Sequence, residues 1–366
     1  MAFLTSPGGG NRRPGLGHRL RSAAISLTTP LLPDDYLGLI NPLWSTREGR
    51  GRVVEVRRET AQATTLVIRP GSGWTPHQAG QWVRVGVQID GTWQSRTYSV
   101  TSVADGRTGR FSITVKGIDG GRVSPYLAHS TKVGTVLRVD PPQGEFVLAP
   151  VMGRALFLTG GSGITPVMGM LRTMVADGRL LDAVHVHSAL HRDDVIFGDE
   201  LRRLAHRFDS YRLHEQHTDR HGLFTLDRLD QICPDWRERE VWACGPPALL
   251  DAIEKHWADA GRYERLHVER FQPPVFAAPD AEGGTVSFAV TGRDAEAPAG
   301  RPILEVGEAA GVAMPSGCRM GICFSCVAPL RSGQVRDLRT GEIHGDEGEI
   351  IQTCVSAAAG PCSIDL

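Results

Sequence analysis

The chain has 366 residues, room for two or three domains that each bury a core. Its 40 basic and 41 acidic residues nearly cancel, so no net field directs it to nucleic acid or to an anionic membrane. With 41% hydrophobic and 22% charged residues it has the composition of a globular protein. No apolar run approaches the roughly 18 residues of a membrane span. The first residues lack the apolar core and small-residue cleavage site of a secretory signal, which predicts a cytoplasmic protein.

Residues 1–45 read as a lead-in, rich in Gly, Pro and Arg as far as Arg21. Its basic cluster Arg12, Arg13, Arg19 and Arg21 reads as a solvated tail, with a membrane surface as the competing partner. Residues 46–150 hold short β-rich segments between turns: 51–57, 64–69, 81–89, 109–116 and 135–139. The helical run 123–129 interrupts them, and the spacing predicts an antiparallel β-barrel. Residues 151–272 alternate strands (154–159, 183–188, 240–243) with helices (166–176, 199–207, 247–260), which predicts an α/β unit on a parallel sheet. Residues 273–284 have linker composition. Residues 285–366 form a last compact α+β unit, with β segments at 286–290 and 362–364 and a short helix, 303–310, before a cysteine loop.

Seven cysteines are an odd number, and four crowd the last fifth of the chain, so metal binding explains them better than a disulfide framework. Cys318, Cys323 and Cys326 give C-x4-C-x2-C, and Cys354 follows after 27 intervening residues. That is plant-type [2Fe–2S] spacing. Structural zinc, the competing four-cysteine site, usually pairs two close-spaced knuckles. Cys233, Cys244 and Cys362 are left as unligated thiols, of which only Cys244 sits in a motif.

The order of these units and four motifs resembles the ferredoxin–NADP reductase superfamily in its phthalate-dioxygenase-reductase-like arrangement, over about residues 50–366. The resemblance implies an FAD-binding barrel, an NAD(P)-binding α/β domain and a β-grasp ferredoxin domain. Arg96-Thr97-Tyr98-Ser99 matches the R-x-Y-S signature. By resemblance Arg96 brackets the flavin pyrophosphate, Tyr98 lies against the ring and Ser99 meets its N5 edge, with Thr97 in the same motif. Gly121-Arg-Val-Ser124 opens the helical run, and Gly121, Val123 and Ser124 are carried over as a phosphate-holding turn. Val115 and Lys116 on the preceding strand are carried over as cofactor-lining. Two flavin elements together favour FAD, with FMN as the alternative.

Thr159-Gly-Gly-Ser-Gly-Ile-Thr-Pro166 follows a buried strand and opens a helix. Gly161, Ser162 and Gly163 allow close approach to a pyrophosphate, Thr165 is placed to cap the helix, and Pro166 suits its first turn. Cys244-Gly245-Pro246 ends the strand 240–243; in the family this places the thiol beside the nicotinamide, a positional role. Ser188 and Arg192 stand where a 2′-phosphate needs donors, and no acid occupies Ser188, so NADPH is expected over NADH. His185, His187 and His191 read as surface or cofactor-flanking residues.

The resemblance implies electron flow from NADPH beside Cys244, to FAD near Ser99, to the cluster, to a partner. Leu31–Trp44 resembles the lead-in of actinobacterial NADPH oxidoreductases that serve acyl-CoA desaturases. That implies a membrane desaturase as acceptor, with peripheral contact to a membrane-bound partner. The alternative is an NADH-dependent reductase of a cytochrome P450 or ring-hydroxylating oxygenase. A non-catalytic redox sensor is the reading from another class, and the intact nucleotide motifs oppose it.

Overall fold

Six β-branched-rich segments pair antiparallel into a first sheet: β1 (Arg50–Arg58), β2 (Ala63–Pro70), β3 (Trp82–Ile89), β4 (Thr92–Ser99), β5 (Phe111–Lys116) and β6 (Val136–Val139). Their order is β4-β3-β6-β1-β2-β5. Val53, Leu66, Val83, Val85, Ile113 and Leu137 fill the core on its concave face. Just past the end of β4, a bridge between Val100 and Ile113 and a hydrogen bond from the Thr101 N–H to the Ser112 carbonyl at 2.8 Å join the two edges. A continuous barrel ladder is therefore not formed, and the architecture is a strongly curled sheet. The computed structural model describes residues 36, 38, 40–45, 48–106, 109–148, 153–180, 182–271, 283–321 and 324–366. The N-terminal arginines, half of the 31–44 lead-in, the linker up to residue 282 and Cys323 lie outside the described residues.

The second sheet is parallel throughout: β7 (Arg154–Gly160), β8 (Asp182–Ala189), β9 (Tyr211–His217), β10 (Glu240–Cys244) and β11 (Leu266–Glu269). Their order, β11-β10-β7-β8-β9, puts the switch point at β7, whose C-terminal end therefore faces a crevice suited to ligands. Three helices cover the faces: α1 (Ile164–Ala176), α2 (Gly198–Arg207) and α3 (Pro247–Asp259). Both faces of the sheet are buried, one around Phe157, Met168 and Trp242, the other around Leu158, Trp236 and Trp257.

Helix α1 also joins this sheet to the first. A Cβ on Gly169 would stand 2.5 Å from the Val100 carbonyl oxygen, so only glycine lets the helix come this close. Arg172 Nη1 donates to the Thr101 carbonyl at 2.7 Å, and the Ala104 N–H donates to Thr173 Oγ1 at 3.1 Å.

The third unit is a mixed sheet of β12 (Gly284–Phe288), β13 (Arg293–Ala297), β14 (Val327–Asp337), β15 (Ile343–His344), β16 (Ile350–Gln352) and β17 (Ser356–Ile364). Helix α4 (Ile303–Ala309) packs on it through Ile303 and Val306, over a core of Val286, Phe288, Leu330 and Ile364. The cysteine loop spans the gap between α4 and β14.

Candidate functional site

One cleft gathers residues from all three units. Arg96, Thr97, Tyr98 and Ser99 from β4 line it with Thr114 and Lys116 from β5, Ile118, and Ser124. Ser162 and Thr165 reach it from the glycine turn after β7, Phe271 from the end of β11, and Cys318 and Met320 from the cysteine loop. Three motifs that are far apart in sequence therefore share one space.

The groups in this cleft are poised for a polar ligand. Tyr98 Oη is buried and has no hydrogen-bond partner, an arrangement that costs free energy until a ligand atom meets it. Burial pushes the Tyr98 phenol well above its usual range, so it remains a donor. Arg96 is held below its usual pKa, first by burial and then by the charge of Arg319. Its Nη1 is tied to the Ser95 carbonyl at 2.7 Å. A half-buried guanidinium repelled by a second one gains from an anion, which suits a pyrophosphate.

The structure corrects three expectations around this cleft. Val115 is fully buried in the core of the first sheet and does not line the cleft; strand alternation gives that place to Thr114 and Lys116. The helix expected over 123–129 is a three-residue turn, Val123–Pro125, continued by a wide π-type turn over Tyr126–Ser130. Val123 is core, Gly121 lies outside the lining, and Ser124 Oγ already accepts the Ile118 N–H at 3.2 Å. Thr165 does not cap α1. The N-cap is Gly163 without a side-chain cap, and Thr165, inside the first turn, donates its hydroxyl to the Ser162 carbonyl at 2.9 Å. α1 therefore starts without a side-chain cap, and the Ile164 N–H that opens it donates to the Gly161 and Ser162 carbonyls of the glycine turn.

A second, apolar cleft of about 480 Å³ lies along the C-terminal edge of the parallel sheet. Gly160, Gly161, Ser188, Leu190, Leu223, Pro246 and Leu249 are among its lining residues. Arg192 is exposed on the turn after β8 and does not line it. Beneath the two clefts, Gly163 packs so tightly on the Cys244 carbonyl that a Cβ would overlap it, and a Cβ on Gly245 would stand 3.0 Å from the Gly160 nitrogen. Pro166 is buried in the first turn of α1. Cys244 is fully buried at the end of β10, lining neither cleft, and burial drives its thiol well above the usual range. A protonated, enclosed thiol shapes the site rather than attacking anything.

Sequence reading missed two neighbours of Cys244. Glu269 pairs with it in register across β10 and β11, and burial raises its carboxyl to about 7. Phe271, two residues beyond Glu269, enters the first cleft. Both sit at the C-terminal end of a parallel strand, the position that could have flagged them. His185 and His187 are also corrected: both are fully buried, because β8 is an inner strand covered on both faces. Thr159 Oγ1 lies 2.8 Å from His185 Nε2 and 2.7 Å from His187 Nδ1, and His185 Nδ1 lies 2.7 Å from Tyr211 Oη. Burial pushes His187 down to about 4 and His185 well below its ordinary value.

In the cysteine loop, Arg319 (φ 62°), Gly321 (φ 74°) and Phe324 (φ 53°) all take the left-handed region, which curls the chain so that N–H groups turn inward. The Met320 N–H points to Cys318 Sγ at 3.3 Å. Cys318, Cys326 and Cys354 are buried, and none is in a disulfide. A hydrogen bond with Cys326, then burial, pushes the Cys354 thiol far up, with the charge of Cys318 adding to it and the Gly321 N–H opposing it. Thiols that crowd and raise one another are relieved by iron, and inward N–H groups are what cluster sulfurs accept, so the loop fits an iron–sulfur group. Among the described residues no three His, Cys, Asp or Glu side chains close on a single metal position.

The comparisons agree with this geometry. Residues 75–148 match the oxidoreductase FAD-binding domain, 157–255 the oxidoreductase NAD-binding domain and 288–359 the 2Fe-2S iron-sulfur cluster binding domain. The chain is thus an NAD(P)H-dependent flavin and iron–sulfur oxidoreductase. It belongs to the ferredoxin–NADP reductase superfamily, in the branch that joins FAD-binding, NAD-binding and 2Fe–2S domains. It is 50% identical over 362 residues to an NADPH oxidoreductase of Mycobacterium tuberculosis, covering 98% of this chain and 94% of the relative. It is 34% identical over 364 residues to a glycine betaine monooxygenase reductase subunit of Pseudomonas aeruginosa, covering 89% of this chain and 98% of the relative. Among solved structures it is similar to phthalate dioxygenase reductase, with TM-score 0.61 and 27% identity over 87% of this chain and 97% of that one.

Proposed function

We propose that this chain is the reductase component of an oxygenase system, carrying electrons from NADPH through FAD and a 2Fe–2S cluster to a terminal oxygenase. The observation that carries the reading is the cleft in which the R-x-Y-S strand, the glycine turn and the cluster loop meet. Two relatives point to the acceptor, since they are named as reductases of a monooxygenase and a dioxygenase. The desaturase reading of residues 31–44 gains no such support. NADPH is favoured by the name of the mycobacterial relative and by Ser188 in the second cleft.

In this reading residues 46–150 form the FAD-binding unit, 151–272 the NADPH unit and 285–366 a β-grasp ferredoxin, with 1–45 as lead-in and 273–284 as linker. Arg96 holds the flavin pyrophosphate, Tyr98 satisfies its orphaned hydroxyl on the ligand, and Ser99 donates toward the reacting edge of the ring. Phe271 shields the cleft where the nicotinamide stacks, and Cys244, enclosed behind the glycine turn, holds that turn in position through its carbonyl against Gly163. Cys318, Cys323, Cys326 and Cys354 ligate the cluster. The flavin supplies the conversion of a two-electron hydride donor into a one-electron source.

The test is an anaerobic titration with NADPH and with NADH, followed by flavin absorbance and electron paramagnetic resonance. Bleached flavin and a reduced-cluster signal at lower NADPH than NADH are expected. A flavin that bleaches with neither nucleotide refutes the reading. For the acceptor, purified terminal oxygenases should oxidise the reduced protein faster than desaturase-containing membranes do.

A further inference from the structure

The cysteine loop is fastened to the β3–β4 pair at two points, one on each side of its middle. Arg84 on β3 donates from Nη1 to Ser325 Oγ at 2.9 Å, across 241 residues of chain. Thr97 on β4 lies opposite Arg84 in the β3–β4 register and reaches Met320 Sδ at 3.3 Å. Ser325 precedes the ligand Cys326, and Met320 falls between Cys318 and Cys323. Both fasteners thus project from one cross-strand pair, whose β4 member Thr97 stands between Arg96 and Tyr98.

Arg84 is itself held. Its Nε donates to Asp140 Oδ2 at 2.5 Å and its Nη2 pairs with the same carboxylate, while the Asp140 N–H donates to the Arg84 carbonyl at 3.0 Å. The guanidinium is about 30% exposed, and its partner 32%. A fork held at one end by a carboxylate is preorganised to aim its other end.

We infer that Asp140, Arg84 and Ser325 form a latch that fixes the cluster loop against the β3–β4 pair and so sets the flavin-to-cluster separation. Arg84 and Asp140 are positioning residues. Neither lines the cleft shared by the three motifs. Electron tunnelling falls steeply with separation, so loosening the latch slows that step and leaves hydride transfer to the flavin untouched. The inference rests on the proposed cofactor assignment, and the experiment separates the two.

Holoprotein is compared with Arg84→Ala, Arg84→Lys and Asp140→Asn, after flavin and iron content and the cluster resonance spectrum are matched. Hydrogen exchange followed by mass spectrometry reads the loop directly: peptides over 316–326 should exchange faster in Arg84→Ala, with Arg84→Lys and Asp140→Asn intermediate. In stopped flow, the rate of flavin reduction by NADPH should be unchanged. Cluster reduction should slow about tenfold in Arg84→Ala and recover in part in Arg84→Lys. Wild-type exchange and wild-type cluster reduction in cofactor-loaded variants overturn the latch alone; Arg84→Lys and Asp140→Asn decide it if Arg84→Ala does not fold. A wild-type protein that binds neither flavin nor iron overturns the assignment beneath it.

Discussion

His187 offers a test of how the nucleotide unit holds its glycine turn. Its imidazole is buried on β8 against Thr159, the first residue of that turn, and burial moves its pKa from 6.5 to about 4. The unfolded chain therefore binds the proton first as pH falls. Stability from this group is complete above about 6.5 and declines through the window down to about 4. Between about pH 7.5 and about pH 5 the shift corresponds to a loss of about 2 kcal/mol. His185 acts in the same direction, and the Glu215 charge facing His187 opposes it. Glu269 acts against both: its carboxyl, raised from 4.5 to about 7, loses stability as pH rises through that window. The wild-type profile alone therefore mixes two signs. The informative quantity is the difference between wild type and His187→Gln, which keeps a hydrogen-bonding side chain without a titrating ring. Urea unfolding is followed by the fluorescence of Trp236, Trp242 and Trp257, all buried against this sheet. The variant should gain about 2 kcal/mol relative to wild type on going from about pH 7.5 to about pH 5. A difference that does not change with pH would refute the assignment of a neutral, desolvated His187.

Gly163→Ala places a methyl on the Cys244 carbonyl and 2.8 Å from the Gly245 nitrogen, both backbone atoms that cannot yield cheaply. Flavin content should survive, while flavin reduction by NADPH falls about a hundredfold in stopped flow. Tyr98→Phe removes a hydroxyl that has no protein partner, so thermal stability of the flavin-free protein should hold or rise. Flavin retention on dialysis should weaken by about 1 kcal/mol, near fivefold in the dissociation constant. Arg192→Ala removes an exposed cation just beyond the second cleft, and the ratio of kcat/KM for NADPH over NADH should fall about tenfold, consistent with loss of one charged contact; an unchanged ratio removes Arg192 from the phosphate site.

The strongest signals in the sequence were local in the chain. The cysteine spacing and the glycine turn each carry their chemistry within a few residues, and the parallel order of β7, β8 and β10 follows from their apolar runs. β4 escaped because Thr-Trp-Gln-Ser-Arg-Thr-Tyr-Ser has no apolar alternation; its residues face clefts and a neighbouring loop rather than a core. A usable signal stood beside it, the Asp90-Gly91 pair, whose φ values of 50° and 78° make the tight turn into the strand. β9 and β11 are edge strands and read as polar. Phe271, Glu269 and the paired His185 and His187 were out of reach for another reason. Their roles depend on which strands become neighbours, and no spacing along the chain records that.

The alternation along β4 has a consequence for how this region can change over evolutionary time. Arg96 and Tyr98 stand opposite Val85 and Val83, while Thr97 stands opposite Arg84. Exchanging one side chain for another disturbs a single contact. Gaining or losing one residue reverses the whole strand, setting Arg96 and Tyr98 where Thr97 now stands opposite Arg84 and setting Thr97 in their place. Lineages of this protein should therefore vary in letters here and never in length, with any change of length confined to the turns at either end.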